Sequence, residues 1–299
     1  MGQDRRTASP PTARVLDVLE TLAQRPDRPR SLADLVRTTG MTRATAHAVL
    51  DTLVQRGWVQ RSEVDKTYTV GPYLAVVGQA LAGARPVERL AHDAIAKLAA
   101  EHDVTALVVH LVDDALVVTD VATAPSTEVP GARVGHRVPY LPPFGPGFAA
   151  WAPTADQEAW LAHADRTNPD LAARLRAVLP EVRRRGYSLE RLDPVSAGAF
   201  EVLARLQDDV FGDAVREVVG RVLAQMTQVD FLPGELSGSG LAVSSVAAPV
   251  LDAAGRVVLD LVVQPAGPRS ATDLTALGEA VADAAARVSA AATTTLEAR

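Results

Sequence analysis

Apolar residues between positions 15 and 53 recur at helical spacing, in three stretches separated by polar punctuation. Ser9-Pro10-Pro11 supplies a start signal, because proline is tolerated in a first turn, and Val15, Leu16, Val18, Leu19 and Leu22 then share one face. QRPDRPR reads as a proline-punctuated loop. Ser31 opens a second helix with Asp34 three residues later, the spacing of a reciprocal cap. Leu32, Leu35 and Val36 form its inner side, and Gly40 closes it. Thr42 starts a third helix, TRATAHAVLDTLVQRG, with Ala46, Val49, Leu50 and Leu53 inward and Gly57 as its stop. The period then changes. WVQRSEVDKTYTVG predicts two short strands around a polar reversal from Ser62 to Lys66.

A short helix, a glycine turn and a longer helix make a helix-turn-helix, and a hairpin directly after it is a wing. That order predicts contact with duplex DNA. The third helix would enter the major groove by its N-terminal half, where backbone N–H groups and the helix dipole also favour a phosphate. Arg43 is the candidate for base reading, since a guanidinium can meet both guanine acceptors. Thr42 and Thr45 are placed to bond phosphates, and His47 either reads a base or is solvated surface. Arg61 and Lys66 flank the wing tip and would meet the backbone or minor groove, or serve only as surface charge.

Pro72 to Ala84 (PYLAVVGQALAGA) predicts a short helix between domains. Its Leu74, Val77 and Leu81 form a stripe too apolar to be solvated alone, expected to pack on a partner subunit or the larger domain. Residues 87–102 give a strongly amphipathic helix. VTALVVHLV and ALVVTDVA flank Asp113-Asp114 as a hairpin, and LAVSSVAAPVL and RVVLDLVVQ flank a second turn at Asp252 to Gly255. Asp260 is a carboxylate within an apolar strand, on the same side as Val262 and Gln264. It must be paired, at an edge, or facing a wet pocket. Ser270 caps a long final helix.

Bulk properties fit this picture. The chain has 299 residues, 47% hydrophobic and 22% charged, so two soluble domains are expected. The net charge of −6 is unevenly spread. Residues 1–72 hold eleven basic and eight acidic side chains, leaving nineteen and twenty-eight for the remainder. A mildly basic front on an acidic body suits phosphate contact by one domain alone. No cysteine is present, which excludes disulfides and thiolate chemistry. No apolar run reaches membrane-spanning length and no secretory signal is read at the N-terminus, so a cytoplasmic location is expected.

With these pieces in hand, the chain resembles the IclR (isocitrate lyase regulator) family of bacterial transcription factors. The resemblance rests on ARVLDVLETLA, SLADLVRTTGMTRATAHAVLDTLVQRGWVQR and YTVGPYL, then on VGHRVPYLPPFGPGFAAW, RRRGYSLE and AAPVLDAAGRVV. It implies an α+β protein: a flexible tail at 1–10, a winged helix-turn-helix at 11–72, a linker helix at 73–85, and a GAF-like α/β effector-binding domain at 86–299. It further implies a homodimer or tetramer that binds a double-stranded DNA operator and a small-molecule effector, with no cofactor and no metal. Family contacts to DNA carry over to Thr42, Arg43, Ala44, Thr45, His47 and Ala48. Ala44 stands where serine is common and Ala48 where arginine is common, and each loses a polar contact. The effector pocket carries over to Leu141, Phe144, Gly145 and Phe148, near a helix N-terminus, together with Ser244, Asp260, Val262 and Gln264. Ser244 and Ser245 replace frequent cysteines, and Val262 and Gln264 replace frequent serines, so pocket polarity should differ from that of carboxylate-sensing relatives. An insertion at about 192–235 departs from the family, with helix-like periodicity over Ala197 to Asp209 and Asp213 to Val229.

Two other classes compete with this reading. An enzyme would need chemistry from His102, His110, Asp120 or Ser245, but no nucleophile elbow, zinc-type histidine pairing or dinucleotide glycine motif is present. The alternative is a regulator-like interaction or sensor protein that has lost DNA or ligand binding, which the altered recognition-helix and pocket positions would permit.

Overall fold

The computed structural model describes residues 9–23, 26–84, 86–126, 133–192 and 227–297. The chain divides into two compact units, residues 1–84 and 85–299.

The first unit holds helices α1 (Pro10–Ala23), α2 (Leu32–Thr39), α3 (Arg43–Gln55) and α4 (Tyr73–Ala84). Its strands β1 (Arg30–Ser31), β2 (Val59–Arg61) and β3 (Thr67–Val70) form an antiparallel sheet in the order β1-β3-β2. Val18, Leu22, Leu35, Met41, Ala46, Leu50, Leu53, Val59 and Tyr68 make the core. The helix signals act as read. Ser31 Oγ accepts from the Asp34 N–H at 3.2 Å, and Asp34 Oδ2 accepts from the Ser31 N–H at 3.1 Å. Gly40 ends α2 in the left-handed region, its N–H bonded to the Val36 carbonyl. The expected loop before Ser31 is corrected. Arg30 and Ser31 pair with Tyr68 and Thr67, so Ser31 both ends a strand and caps a helix. Ser31→Ala should therefore cost about 1–2 kcal/mol, read as a lower denaturation midpoint of the full chain.

Helix α4 exposes Tyr73, Val76, Val77 and Leu81, while Leu74 is half-buried. Among the described residues no helix is long and apolar enough to cross a membrane.

In the second unit, α5 (Pro86–His102) precedes β4 (Thr105–Val112), β5 (Ala115–Thr123) and β6 (Arg137–Pro139). Three helices follow: α6 (Pro146–Trp151), α7 (Thr154–Thr167) and α8 (Pro169–Arg185). Then come β7 (Ser188–Leu192), β8 (Thr227–Gln228), β9 (Val243–Leu251), β10 (Val257–Gln264) and the long final helix α9 (Ala271–Glu297). The seven strands are antiparallel, in the order β6-β5-β4-β10-β9-β7-β8. Alternation sorts their side chains into two layers. Val104, Ala106, Val108, Leu189, Val246, Ala248, Val250, Leu259, Leu261 and Val263 face α5 and α9. Leu107, Val109 and Val118 face the other way and enclose Phe148 of α6. Covering both faces explains why the central strands β4, β9 and β10 are mostly apolar despite being antiparallel.

The helical reading of Asp213 to Val229 is corrected at its end. Thr227 and Gln228 form β8, bonded to Leu192 and Arg191 of β7. A terminal strand needs partners that helical periodicity does not report. Residues 213–226, and all of 197–209, lie outside the described residues.

Candidate nucleic-acid interface and effector site

In α3, Thr42 is the N-cap, its Oγ1 accepting from the Thr45 N–H at 3.2 Å and sharing a 2.9 Å bond with the Thr45 hydroxyl. Burying Ala46, Leu50 and Leu53 turns Arg43, Ala44, His47, Ala48 and Asp51 outward. His47 Nδ1 lies 2.9 Å from Asp51 Oδ2 one turn on, with both side chains solvated. That carboxylate orients the imidazole, and its charge opposes approach of a phosphate.

The wing is tied to itself. Lys66 Nζ stands 2.9 Å and Arg61 Nη1 3.7 Å from the Glu63 carboxylate, whose pKa the Lys66 hydrogen bond lowers. Arg61 also lies over the Tyr68 ring, 5.9 Å from its centroid. Lys66 takes a positive φ of 55° at the reversal, and Val64 is 89% exposed at the tip. Both wing cations would have to share or release Glu63 to meet DNA. Position alone predicts the cations but not this partner between them.

The second candidate site lies on the α6 face of the large sheet. Gly145 precedes α6 with φ 78°, and a Cβ there would stand 2.9 Å from the Tyr140 ring. Gly147 sits directly over Asp260, where a Cβ would lie 2.3 Å from Oδ2. Asp260 is on β10, an interior strand, and is only 3% exposed, so the edge option is excluded. Its Oδ1 has no hydrogen-bond partner among the described residues. Burial raises its pKa well above the usual carboxylate range, and the charge of Glu190 raises it further. Glu190, on β7, is raised mainly by burial, partly offset by hydrogen bonds from Ser245 and the Gly145 N–H. Ser245 Oγ lies 2.9 Å from Glu190 Oε2. Tyr140 is also pushed upward, by burial and then by the charges of Asp260 and Asp156. It stacks on Trp160 at 6.1 Å between centroids and meets Phe148 edge-on at 6.3 Å.

Of the residues expected here, Gly145, Phe148, Asp260 and Val262 are brought together. Gln264 shares their strand face and its Oε1 lacks a partner among the described residues; cross-strand from it, Thr105 Oγ1 lacks one too. Phe144 is buried and Leu141 half-buried in the loop before α6. Ser244 is corrected in detail: its hydroxyl donates to the Glu190 backbone carbonyl at 3.1 Å, and its neighbour Ser245 carries the side chain that reaches the Glu190 carboxylate. Strand alternation forces that exchange. Glu190, Ser245, Tyr140, Gly147 and Trp160 were not in the expected set. Glu190 gave no signal like that of Asp260, because its strand reads SLERL and already carries Ser188 and Arg191, so a carboxylate there does not stand out.

Among the described residues no group of three or more His, Asp or Glu is arranged to hold a metal. Beneath the same sheet edge, buried Asp230 pairs with Arg185 and accepts N–H bonds from Leu189 at 2.8 Å and Phe231 at 2.5 Å. Glu235, held down to about pKa 2 chiefly by Arg174, accepts from that guanidinium at 2.8 Å.

Residues 11–63 match the family model for the IclR helix-turn-helix domain. No curated protein matches the chain. Among solved structures, an IclR transcriptional regulator from Alicyclobacillus acidocaldarius is 23% identical, covering 94% of this chain and 98% of its own, with a TM-score of 0.63. An IclR homologue from Microbacterium hydrocarbonoxydans, solved with 4-hydroxybenzoate, is 20% identical over 97% and 100% of the two chains, with a TM-score of 0.61. HmgR of Pseudomonas aeruginosa is 21% identical over 94% and 97%, at a TM-score of 0.59. The chain thus carries an IclR helix-turn-helix domain within the fold of the IclR-family transcriptional regulators along nearly its whole length.

Proposed function

We propose that this protein is a ligand-responsive transcriptional regulator that binds a specific duplex operator through α3 and the wing, as a homodimer or tetramer, under control of a small organic effector. One observation carries the DNA reading: a solvated α3 face with Thr42, Arg43, Thr45 and His47, in a domain that matches the IclR helix-turn-helix. Arg43 reads a base, the threonine hydroxyls and the α3 N-terminus hold a phosphate, and Arg61 and Lys66 meet the backbone beside it. The solved homologue with 4-hydroxybenzoate supports the effector reading, because the same fold there holds a small organic molecule.

The test is binding of the full chain to the intergenic fragment upstream of its own coding sequence, across a salt series. Affinity should fall steeply with salt as counterions are displaced. Arg43→Ala should cost about 1–3 kcal/mol and relax preference at one position, whereas Lys66→Ala should weaken all fragments alike and reduce the salt slope by about 1. Absent or salt-independent binding would leave an interaction or sensor protein as the better account.

A further inference from the structure

Two arginines of the small sheet flank one tyrosine. Arg30 of β1 and Arg61 of β2 both stand directly opposite Tyr68 of β3, one on each side. Residues paired in this way project from the same face of a sheet. Both side chains therefore share the face of Tyr68, which is buried in the core of the unit. With neighbouring strands about 4.8 Å apart, the two Cα atoms are separated by about 10 Å. Both stems are also pinned. Nε of Arg30 and Nε of Arg61 are buried, and neither has a hydrogen-bond acceptor among the described residues. Neither residue is wholly buried, so packing takes up the stem and leaves the guanidinium end within reach of solvent. A guanidinium held this way loses little freedom on meeting an anion, and its planar fork suits the oxygens of a phosphate.

The acids near the pair have other partners. Glu63 lies 3.7 Å from Arg61 but only 2.9 Å from Lys66. Asp65, the wing's other acid, accepts from the Ser62 hydroxyl. Arg30 meets no carboxylate among the described residues, and Asp34, the next acid in sequence, is engaged by Ser31 and Arg37. Arg30 is thus a cation that need not be released from a carboxylate first, as Arg61 and Lys66 must be. The three run from the edge strand β1 to the wing reversal. Cations spread along a sheet, and not gathered around one point, fit a chain of anions.

We propose that Arg30 is a further DNA-contact residue, taking a backbone phosphate of the duplex next to the one met by Arg61, so that the two arginines straddle Tyr68 and hold neighbouring phosphates. The proposal rests on the DNA reading above and extends the contact surface from the wing to β1. Such contacts fix the position of a protein on the duplex without reading sequence. Loss of Arg30 therefore weakens every duplex alike, whereas loss of Arg43 relaxes preference.

The experiment sets the upstream fragment against a scrambled duplex of the same length and composition, with the full chain across a salt series. Arg30→Gln should weaken both duplexes equally, about tenfold at fixed salt. It should also make the slope of log affinity against log salt shallower by about 1. Arg30→Lys should restore the slope, because the charge is kept, but only part of the affinity, because the fork is lost. The double variant Arg30→Gln/Arg61→Gln should flatten the slope by about 2. Urea unfolding of each variant checks the fold, and Arg30→Met, which keeps the packed stem, serves should Arg30→Gln fold poorly. Weaker binding with an unchanged slope would mean a packing role and overturns the proposal, as does wild-type affinity and slope in Arg30→Gln. In either case the operator reading stands if the upstream fragment is still preferred. No preference for that fragment, with Arg30 still setting the slope, removes the operator reading and keeps the phosphate contact. Failure of the wild-type chain to bind either duplex removes both. Polyglutamate binding that requires Arg30, with duplex affinity unchanged in Arg30→Gln, would assign the arginines to an acidic protein partner and likewise overturns the proposal.

Discussion

Arg185→Met is expected to lower the stability of the C-terminal unit by about 3–5 kcal/mol, the loss typical when one member of a buried ion pair is removed. The Arg185 and Asp230 side chains are 10% and 2% exposed. Burial alone would drive the Asp230 pKa upward, and the Arg185 charge and hydrogen bond oppose that rise. Asp230 is also held by the Leu189 and Phe231 N–H groups, and Arg185 Nε donates to the Tyr187 carbonyl at 2.7 Å. Methionine keeps much of the apolar stem but leaves the carboxylate without its cation. Denaturant unfolding of the full chain measures the loss. Adding Asp230→Asn to Arg185→Met should recover part of it at pH 7, because the uncompensated charge is gone, although one amide oxygen can replace only one of the two carboxylate oxygens that accept from the Leu189 and Phe231 N–H groups. A double variant no more stable than the single one would mean that the arginine acts through packing on Tyr187, whose ring centroid lies 4.9 Å from its guanidinium.

The linkage sign is specific. With Arg185 gone, burial holds the folded Asp230 pKa above its unfolded value without the opposing cation. Folding then takes up a proton between those two values, so stability should fall as pH rises through that window. The single variant should therefore lose less at acid pH than at pH 7.

Gly71→Ala should destabilise the winged unit by about 3 kcal/mol or more, the upper end of overpacking effects. A Cβ at Gly71 would stand 2.2 Å from the Gly57 carbonyl oxygen, 2.6 Å from the Trp58 carbonyl carbon and 2.7 Å from the Val59 nitrogen. All three are backbone atoms, so no rotamer change relieves the clash. The same junction carries the Gly71 N–H to Trp58 carbonyl bond at 2.8 Å and the Tyr73 N–H to Gly57 carbonyl bond at 3.1 Å. Moving it displaces the wing relative to α3, so operator binding should fall together with stability. Gly40→Ala is the control. It has a φ of 66° but nothing within 4 Å of the added carbon, so it should cost only the left-handed penalty of about 1–2 kcal/mol. Equal midpoints for the two variants would show that the Gly71 backbone yields easily.

The elements readable in advance were those set by neighbours a few residues apart. The Ser31–Asp34 cap, the Gly40 terminus of α2, the Thr42 start of α3 and the two-residue turn joining β4 to β5 each depend on contacts within one turn of chain. The Arg30–Ser31 strand was missed because two residues carry no period, and its partners lie beyond α2 and α3. Asp260 stood out as a misplaced charge in an apolar strand. Its relation to Glu190 did not, since the two reach one face only through the pairing of β10 with β9 and of β9 with β7.

Hydrophobic periodicity and capping chemistry thus determined the winged helix-turn-helix, its outward-facing α3 side and the antiparallel hairpins, because those features are short-range consequences of side-chain spacing. Tertiary structure alone decided that Glu63 sits between the two wing cations, that Ser245 rather than Ser244 meets the Glu190 carboxylate, and that Gly147 lies over Asp260. The physical reason is register: a shift of one residue turns a strand's side chains to the opposite face, and register is fixed by partners far away in the chain.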